Sequence, residues 1–508
     1  WVRDRRLRAK LVAAGLLVLC ALFMFVDPRT PPIIIWDESR LAVNALEMNQ
    51  HGWSFVTTYG FAPDLWNSKP PLMIWLMNAS MTLFGPSELA LRLPAMLAAL
   101  GTLLVVFVFV RRVTHSVATA ALAMILLAAS AAFYGEHGAR TADYDSLLCF
   151  FTTAYLSIFF FAVHRSRPTA HQLLIAGALV AGAVMTKTIA GLLPGAGVAL
   201  YLLVSRRLGR AFATPRYIVM VAAALVPLAL FYLLRERLAP GYLHAVWYND
   251  FAGRYESQLG QNPKPWWIYL KAVLYSGIFS AGPFVLLAPA GLIGAKGQSR
   301  QALVYALCCA AAELVLISVP ATRLIQYVLP AIPWFAIACA IAVHEQVERF
   351  FRRGDPPRAA VVLAPALAAV ALVTITVPAI RIRYEILPQR AFYPRASYGA
   401  LFQTLHDRGI RRVTVVEPGL TDPGVTAYAP QLRYYALLWN GRGMDIDRAL
   451  RFDQPLPNTP VASCDPAWSR ALVSMGGHPI GSDGCSMIAS QPTFAAQTRL
   501  IAPDESRA

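Results

Sequence analysis

Long apolar runs without charged residues alternate with short polar turns up to about residue 380 of this chain. A helix needs roughly 20 apolar residues to cross a bilayer, and fewer where flanking side chains reach the interface. The pattern therefore predicts eleven membrane spans and a helical membrane body over residues 1–380. The predicted spans are residues 11–26, 93–110, 116–133, 146–163, 172–186, 188–205, 217–234, 272–294, 302–319, 324–343 and 359–380. The fifth and sixth are also consistent with one re-entrant pair around Lys187.

The composition excludes a single water-soluble core. The chain is 57% hydrophobic and 14% charged, against about 25% charged in an ordinary soluble domain. Its formal charge of +17 would suggest a nucleic-acid partner in a soluble protein. Here many basic residues lie in short turns between apolar runs, which indicates membrane topology and anionic lipid headgroups instead. Membrane lipids, and not nucleic acid, are the expected partners.

The basic residues also predict an orientation. Basic turns fall on one side of the membrane at residues 1–10, 111–112, 165–167, 206–216, 296–300 and 349–358. That side is the cytoplasm by the positive-inside rule, so an odd number of spans places residues 381–508 outside. The first apolar run follows basic residues as a signal peptide does, but it lacks a small-x-small cleavage pattern, so we expect a retained anchor.

The tail over residues 381–508 is predicted to be a small α/β domain, because helical stretches alternate with glycines and short β-branched runs. Its two cysteines, Cys464 and Cys485, suggest a disulfide in an oxidising compartment, with reduced thiols as the alternative. No phosphate loop, catalytic triad or metal-ligand spacing occurs in it. Acceptor guidance or a lid role is therefore favoured over a second active site.

Two long outer loops, residues 27–92 and 235–271, carry most of the charged side chains outside the predicted spans that could perform chemistry. The first begins with WDESR at residues 36–40, which is also consistent with a solvated acidic turn. It continues with WNSKPPLMIWL, in which Lys69 precedes two prolines. An acid and a lysine on one membrane face fit a base for a hydroxyl beside a cation for a phosphate leaving group.

These motifs resemble those of the C-type glycosyltransferases, the GT-C family that includes the lipid A aminoarabinose transferase and the protein O-mannosyltransferases. WDESR, NSKPPLMIWL and FGPSELALRLPAML are followed in order by further matches. These are GARTADYDSLLCFF at 138–151, GAVMTKTIAGLLPG at 182–195, YNDFAGRY at 248–255, NPKPWWIYL at 262–270 and RLIQYVLPAIP at 323–333. The resemblance covers about residues 1–345, and the tail gives no comparable match.

The resemblance implies roles for individual residues. Asp37 falls at the family's main catalytic acid, the base that activates the acceptor hydroxyl, with Glu38 beside it. Asp145 falls at a second-loop aspartate that orients substrate or supports the first acid; the alternative is a helix N-cap. The expected donor-phosphate residues are Lys69, Arg254 and Tyr327. Further positive potential is expected from Arg40, Lys187 and Arg323, of which the last two could equally be interfacial anchors.

Some positions depart from the family pattern. Ser68 stands where the family commonly has Glu, and Asn249-Asp250 stands where the aminoarabinose branch has a histidine. Both family residues are metal ligands there, so the need for a metal is left open. The oxygen donors that remain for a hard divalent ion are Asp37, Glu38, Asp145 and Asp250. The pair Glu136-His137 is interpreted as polar residues at a span boundary. Glu313, inside an apolar run, is expected to pair with a basic residue between spans.

The expected fold is thus an all-α polytopic membrane protein of about eleven helices, GT-C-like, with a small C-terminal α/β extracytoplasmic domain. The expected function is transfer of a sugar from a polyprenyl-phosphate donor on the periplasmic face of a bacterial-type inner membrane, with inversion. The acceptor is left open among lipid A or another glycolipid, a glycan and a protein. A transporter or flippase of lipid-linked sugars is the alternative. Charges clustered at outer span ends favour the enzyme.

Overall fold

The computed structural model describes residues 2–25, 33, 37–165, 167–209, 214–252, 264–352, 376, 398–417, 420–422, 425–449, 459–481 and 484–489. The chain forms two compact units. The first unit comprises Trp1–Val26, Trp53–Met77 and Arg92–Arg381. The second unit comprises Asp27–Gly52, Asn78–Leu91 and Ile382–Ala508. Parts of the predicted first outer loop thus belong to the same unit as the tail.

The helices, in chain order, are α1 (Val2–Met24), α2 (Asp37–His51), α3 (Leu72–Phe84), α4 (Glu88–Thr114), α5 (Val117–Ala128), α6 (Ala131–Tyr134), α7 (Tyr144–Val163), α8 (Ala170–Lys187), α9 (Gly195–Val204), α10 (Tyr217–Leu238), α11 (Tyr242–Val246), α12 (Ile268–Tyr275), α13 (Gly297–Ser318), α14 (Ile332–Arg352), α15 (Tyr398–Asp407), α16 (Pro430–Asn440) and α17 (Pro466–Ser474). Segments of 3-10 helix are Thr188–Gly191, Gly282–Leu292 and Ile325–Ala331, and Trp247–Ala252 is a π-helical turn.

Six helical segments of the described chain are long and apolar enough to cross a membrane. They are Glu88–Thr114, Tyr144–Val163, Ala170–Gly191, Tyr217–Leu238, Gly297–Ser318 and Ile325–Arg349. Each overlaps a predicted span, so the prediction of a polytopic helical membrane protein is confirmed. Shorter apolar helices are Lys10–Leu22, Leu72–Phe84, Val117–Ala128, Gly195–Val204 and Gly282–Leu292. The predicted span at 359–380 lies almost entirely outside the described residues.

Two predicted segments have a different structure. The predicted span at 272–294 is not one helix, because α12 ends at Tyr275 and a 3-10 segment begins at Gly282. Gly277 and Gly282 have φ angles of +68° and +41°, which an α-helix does not tolerate and glycine adopts readily. The predicted outer loop 27–92 contains α2 and α3. Its proline pair ends directly before Leu72, where a fixed φ favours the start of a helix.

Small residues allow the spans beside the site to approach closely. Helix α8 packs against both α7 and α10. A Cβ atom at Gly177 would lie 2.3 Å from the Met220 carbonyl oxygen of α10. A Cβ atom at Gly182 would lie 2.6 Å from the Phe151 ring of α7. Larger side chains would push these helices apart, so the two glycines help to fix the position of the C-terminal end of α8.

The second unit contains a five-stranded mixed sheet in the order β6-β3-β7-β9-β8. Its strands are β3 (Arg412–Val416), β6 (Asp445–Ala449), β7 (Val461–Ser463), β8 (His478–Ile480) and β9 (Cys485–Ile488). Two small hairpins are formed by β1 (Thr58–Tyr59) with β2 (Ala62–Pro63), in the first unit, and by β4 (Leu420–Asp422) with β5 (Val425–Tyr428). Strand β3 pairs in parallel with β6 and β7, whereas β9 runs antiparallel to β7 and β8.

A disulfide joins Cys464 to Cys485, whose Cα atoms are 4.1 Å apart. The same unit holds α2, which packs against α16. There Arg433 Nη2 lies 3.1 Å from the buried carboxylate of Glu47. This ion pair joins a segment predicted as a membrane loop to the tail, a contact that the linear pattern does not indicate.

Candidate active site

The N-terminus of α7 positions two carboxylates. Asp143 is the N-cap residue, and its Oδ1 accepts a hydrogen bond of 2.6 Å from the Tyr144 amide. Asp145 lies in the first turn of the helix. Carboxylates are stabilised there by unpaired amide groups and by the helix dipole. The alternative that Asp145 is the N-cap is therefore wrong, because Asp143 has that role.

Asp145 forms a buried ion pair with Lys187 at the C-terminal end of α8. The lysine Nζ donates to both carboxylate oxygens, at 2.7 and 2.8 Å. Both side chains are almost fully buried, with 9% and 2% of their surfaces exposed. The helix ends here because the next residue, Thr188, has a φ of +44° and starts a 3-10 turn. The charge predicted to attract phosphate is thus largely balanced by Asp145.

This ion pair forms part of the wall of a cavity of about 710 Å³, a volume that includes the solvent at its mouth. The ionisable lining consists of two lysines, three carboxyl groups and a tyrosine: Lys69, Lys187, Asp145, Asp250, Glu313 and Tyr327. Most of the remaining wall is aliphatic or proline. An apolar cavity with a few convergent charged groups is the usual form of a ligand site.

Several interactions hold the Lys69 segment against the cavity. The Lys69 ammonium lies 5.1 Å from the centroid of the Tyr144 ring, a cation–π distance. The Tyr144 hydroxyl forms a hydrogen bond with the Asn67 amide at 2.9 Å. Behind them, the Tyr242 hydroxyl donates to the Ser68 carbonyl oxygen at 2.8 Å. The position of the lysine is therefore defined by buried polar contacts on both sides of the segment.

The two departures from the family pattern interact with each other. Ser68 Oγ donates a hydrogen bond of 3.1 Å to Asp250 Oδ2, and both residues are buried. A serine hydroxyl and one carboxylate are a poor ligand set for the transition metals that imidazole and carboxylate bind together. A metal at this position of the family pattern does not fit the residues present. The hydrogen bond between Ser68 and Asp250 joins the loop before α3 to the π-helical turn after α11 without a metal ion.

Arg323 and Tyr327 lie on one segment that follows the C-terminal end of α13. Arg323 donates to two backbone carbonyls, that of Ser318 at 3.0 Å and that of Lys264 at 2.7 Å. Tyr327, which lines the cavity, has its ring centroid 5.3 Å from Lys187 Nζ. The arginine therefore ties backbone segments together, while the tyrosine faces the cavity. The predicted donor residue Arg254 lies outside the described residues.

Asp37, Glu38 and Arg40 belong to the first turn of α2 in the second unit. Asp37 is half-buried, whereas Glu38 and Arg40 are buried. The Arg40 guanidinium lies 5.6 Å from the centroid of the Tyr428 ring. The catalytic assignments of Asp37, Glu38 and Asp145 stay predictions.

The sequence analysis did not predict a histidine–aspartate pair in the connection between α6 and α7. His137 Nδ1 forms a short hydrogen bond with Asp143 Oδ2, and His137 has a φ of +58°, which is uncommon for a residue with a side chain. Burial would raise the pKa of Asp143, but the hydrogen bond and charge of His137, together with the charge of Lys187, hold it below its ordinary value. His137 was interpreted as a polar residue at a span boundary, and its hydrogen bond with Asp143 was not predicted.

The expected pairing of Glu313 was wrong. Glu313 is 3% exposed, and its Oε2 has no hydrogen-bond partner among the residues that the structure describes. Glu313 lines the cavity. Among the described residues, no basic side chain forms a hydrogen bond with its Oε2.

The fold of the chain is similar to that of a solved membrane protein. The chain resembles the crystal structure of ArnT from Cupriavidus metallidurans bound to undecaprenyl phosphate, with a TM-score of 0.70 and 18% identity over 95% of this chain and 98% of that chain. The apo state of the same protein gives a TM-score of 0.65 and 17% identity, over 95% and 98% of the two chains. The fold is therefore shared with ArnT.

Sequence comparison gives a consistent result. Residues 68–233 match the family described as dolichyl-phosphate-mannose-protein mannosyltransferase. An undecaprenyl phosphate-alpha-4-amino-4-deoxy-L-arabinose arabinosyl transferase of Shewanella sediminis is 27% identical over 312 residues, which are 60% of this chain and 54% of that protein. The chain thus spans about half the length of this relative. The predicted resemblance to C-type glycosyltransferases is confirmed.

Proposed function

We propose that this chain is an integral membrane glycosyltransferase that moves a sugar from a polyprenyl-phosphate donor to a lipid, glycan or protein acceptor on the periplasmic face of a bacterial-type inner membrane. The observation that carries the proposal is the cavity of the first unit. Lys69, Lys187 and Tyr327 surround it, and aliphatic side chains form most of the rest of its wall. A phosphate joined to a long hydrocarbon chain needs this combination of cation, hydroxyl and apolar surface.

Lys69 is the cation best placed to hold the donor phosphate. Its side chain is half-buried and borders the cavity, whereas the Lys187 ammonium is bound by both oxygens of Asp145. The Tyr327 hydroxyl, and Arg254 from the sequence pattern, complete the proposed phosphate site. Charge-assisted hydrogen bonds of this kind contribute about 1.5 to 3 kcal/mol each. They stabilise the phosphate as its bond to the sugar breaks, so the leaving group needs no proton.

Asp37 is the proposed general base. Its carboxylate accepts the proton of the acceptor hydroxyl while the hydroxyl oxygen attacks the anomeric carbon. The bond from that carbon to the phosphate oxygen breaks, and the electron pair leaves with polyprenyl phosphate. One displacement inverts the configuration at the anomeric carbon. A lipid A-type glycolipid is the first acceptor to test, because the sequence resembles the lipid A aminoarabinose transferase.

The test is sugar transfer by purified protein in liposomes, with a panel of undecaprenyl-phosphate sugars and a glycolipid acceptor. Release of undecaprenyl phosphate that depends on the acceptor supports the proposal. Asp37→Asn should still bind donor while transfer falls by about a hundred- to ten-thousandfold, the usual contribution of a general base. Asp407→Asn, at an exposed carboxylate at the end of α15, is the control. A carrier of lipid-linked sugars would instead move its substrate without releasing undecaprenyl phosphate and would tolerate Asp37→Asn.

A further inference from the structure

Arg235 is a buried cation close to the candidate site that does not line its cavity. It lies in the last turn of α10, and 1% of its surface is exposed. Its Nη1 and Nη2 atoms have no hydrogen-bond partner among the residues that the structure describes. A charge buried in this way is costly, so its presence indicates a role other than filling space.

Two buried residues interact with this guanidinium. It lies 4.5 Å from the centroid of the Tyr242 ring in α11, a cation–π distance. Its charge also attracts the carboxylate of Asp64. Tyr242 and Asp64 are 1% and 3% exposed. Arg235 therefore joins α11 to the start of the segment 64–69, which leads to Lys69.

Both partners of Arg235 continue to the backbone next to Lys69. Asp64 Oδ1 accepts a hydrogen bond of 3.1 Å from the Asn67 amide. The Tyr242 hydroxyl donates to the Ser68 carbonyl oxygen at 2.8 Å. These two bonds fix the two residues before the lysine, whose side chain borders the cavity. Arg235 thus supports the segment 64–69 from the side opposite the cavity, through two contacts.

The Tyr242 ring has little freedom to move within this arrangement. It lies 6.2 Å from the Phe231 ring, at right angles to it, and it stacks on the Tyr232 ring at 6.0 Å. Both rings belong to α10, as Arg235 does. A site binds well only when the residues behind it hold its polar groups in place, and a displacement of about 1 Å can cost about a hundredfold in rate.

We propose that Arg235 is a positioning residue of the donor site. Stacked on Tyr242 and attracted to Asp64, it holds the segment 64–69 so that the Lys69 ammonium meets the phosphate of the lipid-linked donor. The inference rests on the proposed function and adds to it a residue that touches neither the donor nor the cavity. Because Arg235 acts through Lys69, its effect on binding requires Lys69 to be present.

The test measures binding of undecaprenyl phosphate to detergent-purified protein. Arg235→Met removes the cation, and Tyr242→Phe removes the hydroxyl that holds Ser68. Each should weaken binding about two- to tenfold, the contribution of one neutral hydrogen bond. Neither should weaken it further in the Lys69→Met background, where no ammonium remains to be positioned. Arg235→Lys keeps a cation near the ring and should recover most of the wild-type affinity.

Tyr305→Phe is the matched control. Tyr305 is a buried tyrosine of α13 whose hydroxyl donates to the Leu156 carbonyl oxygen, also at 2.8 Å, and it does not line the cavity. The variant loses the same kind of bond as Tyr242→Phe, so a general loss of stability would affect both alike. Its affinity for undecaprenyl phosphate should equal that of wild type.

The double variants decide between positioning and other roles. Wild-type affinity in both Arg235→Met and Tyr242→Phe overturns the assignment, and so does an equal loss of affinity with and without Lys69. Either result leaves the proposed function standing. If wild type does not bind undecaprenyl phosphate, both fail. Tyr242→Phe changes a single hydroxyl, so the inference stays testable if Arg235→Met does not fold.

Discussion

Replacing Lys187 with methionine tests whether this lysine holds two helices together or holds the donor phosphate. Its ammonium lies 2.7 Å from one oxygen of Asp145 and 2.8 Å from the other. At the shorter distance, two unit charges attract by about 6 kcal/mol with an effective dielectric constant of about 20. Desolvation of both groups offsets much of this attraction, because both side chains are buried. The net contribution of the ion pair to the stability of the protein is therefore much smaller than the attraction between the two charges.

Removing one partner of the ion pair should lower the free energy of unfolding by more than the net contribution of the intact pair. Lys187→Met leaves the Asp145 carboxylate buried without its cation, a change that usually costs about 3 to 5 kcal/mol. The double variant with Asp145→Asn removes the charge as well, so it should regain a large part of the lost stability. The free energies of unfolding of wild type, both single variants and the double variant complete a double-mutant cycle. We expect a strong positive coupling between the two positions.

The binding of undecaprenyl phosphate to the same proteins separates structure from ligand contact. Lys69→Met should bind the lipid about ten- to a hundredfold more weakly at nearly unchanged stability, because Lys69 is half-buried beside the cavity. The Lys187→Met and Asp145→Asn double variant should bind within a few-fold of wild type. If Lys187→Met unfolds as wild type does but binds the lipid as poorly as Lys69→Met, the pairing argument is refuted and Lys187 is a phosphate ligand.

Two further outcomes are expected. The disulfide between Cys464 and Cys485 closes a loop with a sequence separation of 21. The variant with serine at both positions should therefore lose about 3 kcal/mol of stability in the second unit. An unchanged rate of proteolysis of that unit in the variant would contradict this. The lowered pKa of Asp143 contributes stability that is present above its ordinary pKa of 3.8 and is lost as the pH falls through the lowered value. His137→Asn removes the hydrogen bond and the charge of His137, which lower this pKa, so the loss of stability on acidification should become smaller, as measured by unfolding against pH.

The long spans could be predicted from sequence because their physical requirement is simple. A bilayer demands a continuous apolar helix, and the predicted runs 217–234 and 302–319 coincide, to within one residue, with parts of the helices Tyr217–Leu238 and Gly297–Ser318. The stretch 272–294 is as apolar as these, but its conformation is set by Gly277 and Gly282, whose φ angles are positive. Hydropathy does not record φ. A count of apolar residues therefore finds membrane segments more reliably than it finds their helical form.

The candidate site was only partly predictable, since its contacts join distant segments. Lys69 was identified from a motif, and the structure places it at the cavity. The hydrogen bond from Ser68 to Asp250 joins residues 182 positions apart, so neither substitution from the family pattern indicated the other. Glu313 was expected to find a basic partner because most intramembrane acids do. Whether a partner lies within reach depends on how the helices pack.

The roles of Asp143 and Asp145 show where the sequence stops being informative. The motif Asp143-Tyr144-Asp145 offers two carboxylates that could cap the same helix, because both residues are aspartates, a type that is preferred at the N-cap. The choice depends on where the chain leaves the extended conformation, which the structure places at Asp143, with φ −117° and ψ +166°. Once Asp143 caps the helix, Asp145 is the second residue of the helix, where it forms its ion pair with Lys187. A shift of the helix start by two residues would make Asp145 the N-cap, so the different roles of these acids follow from backbone geometry and not from residue type.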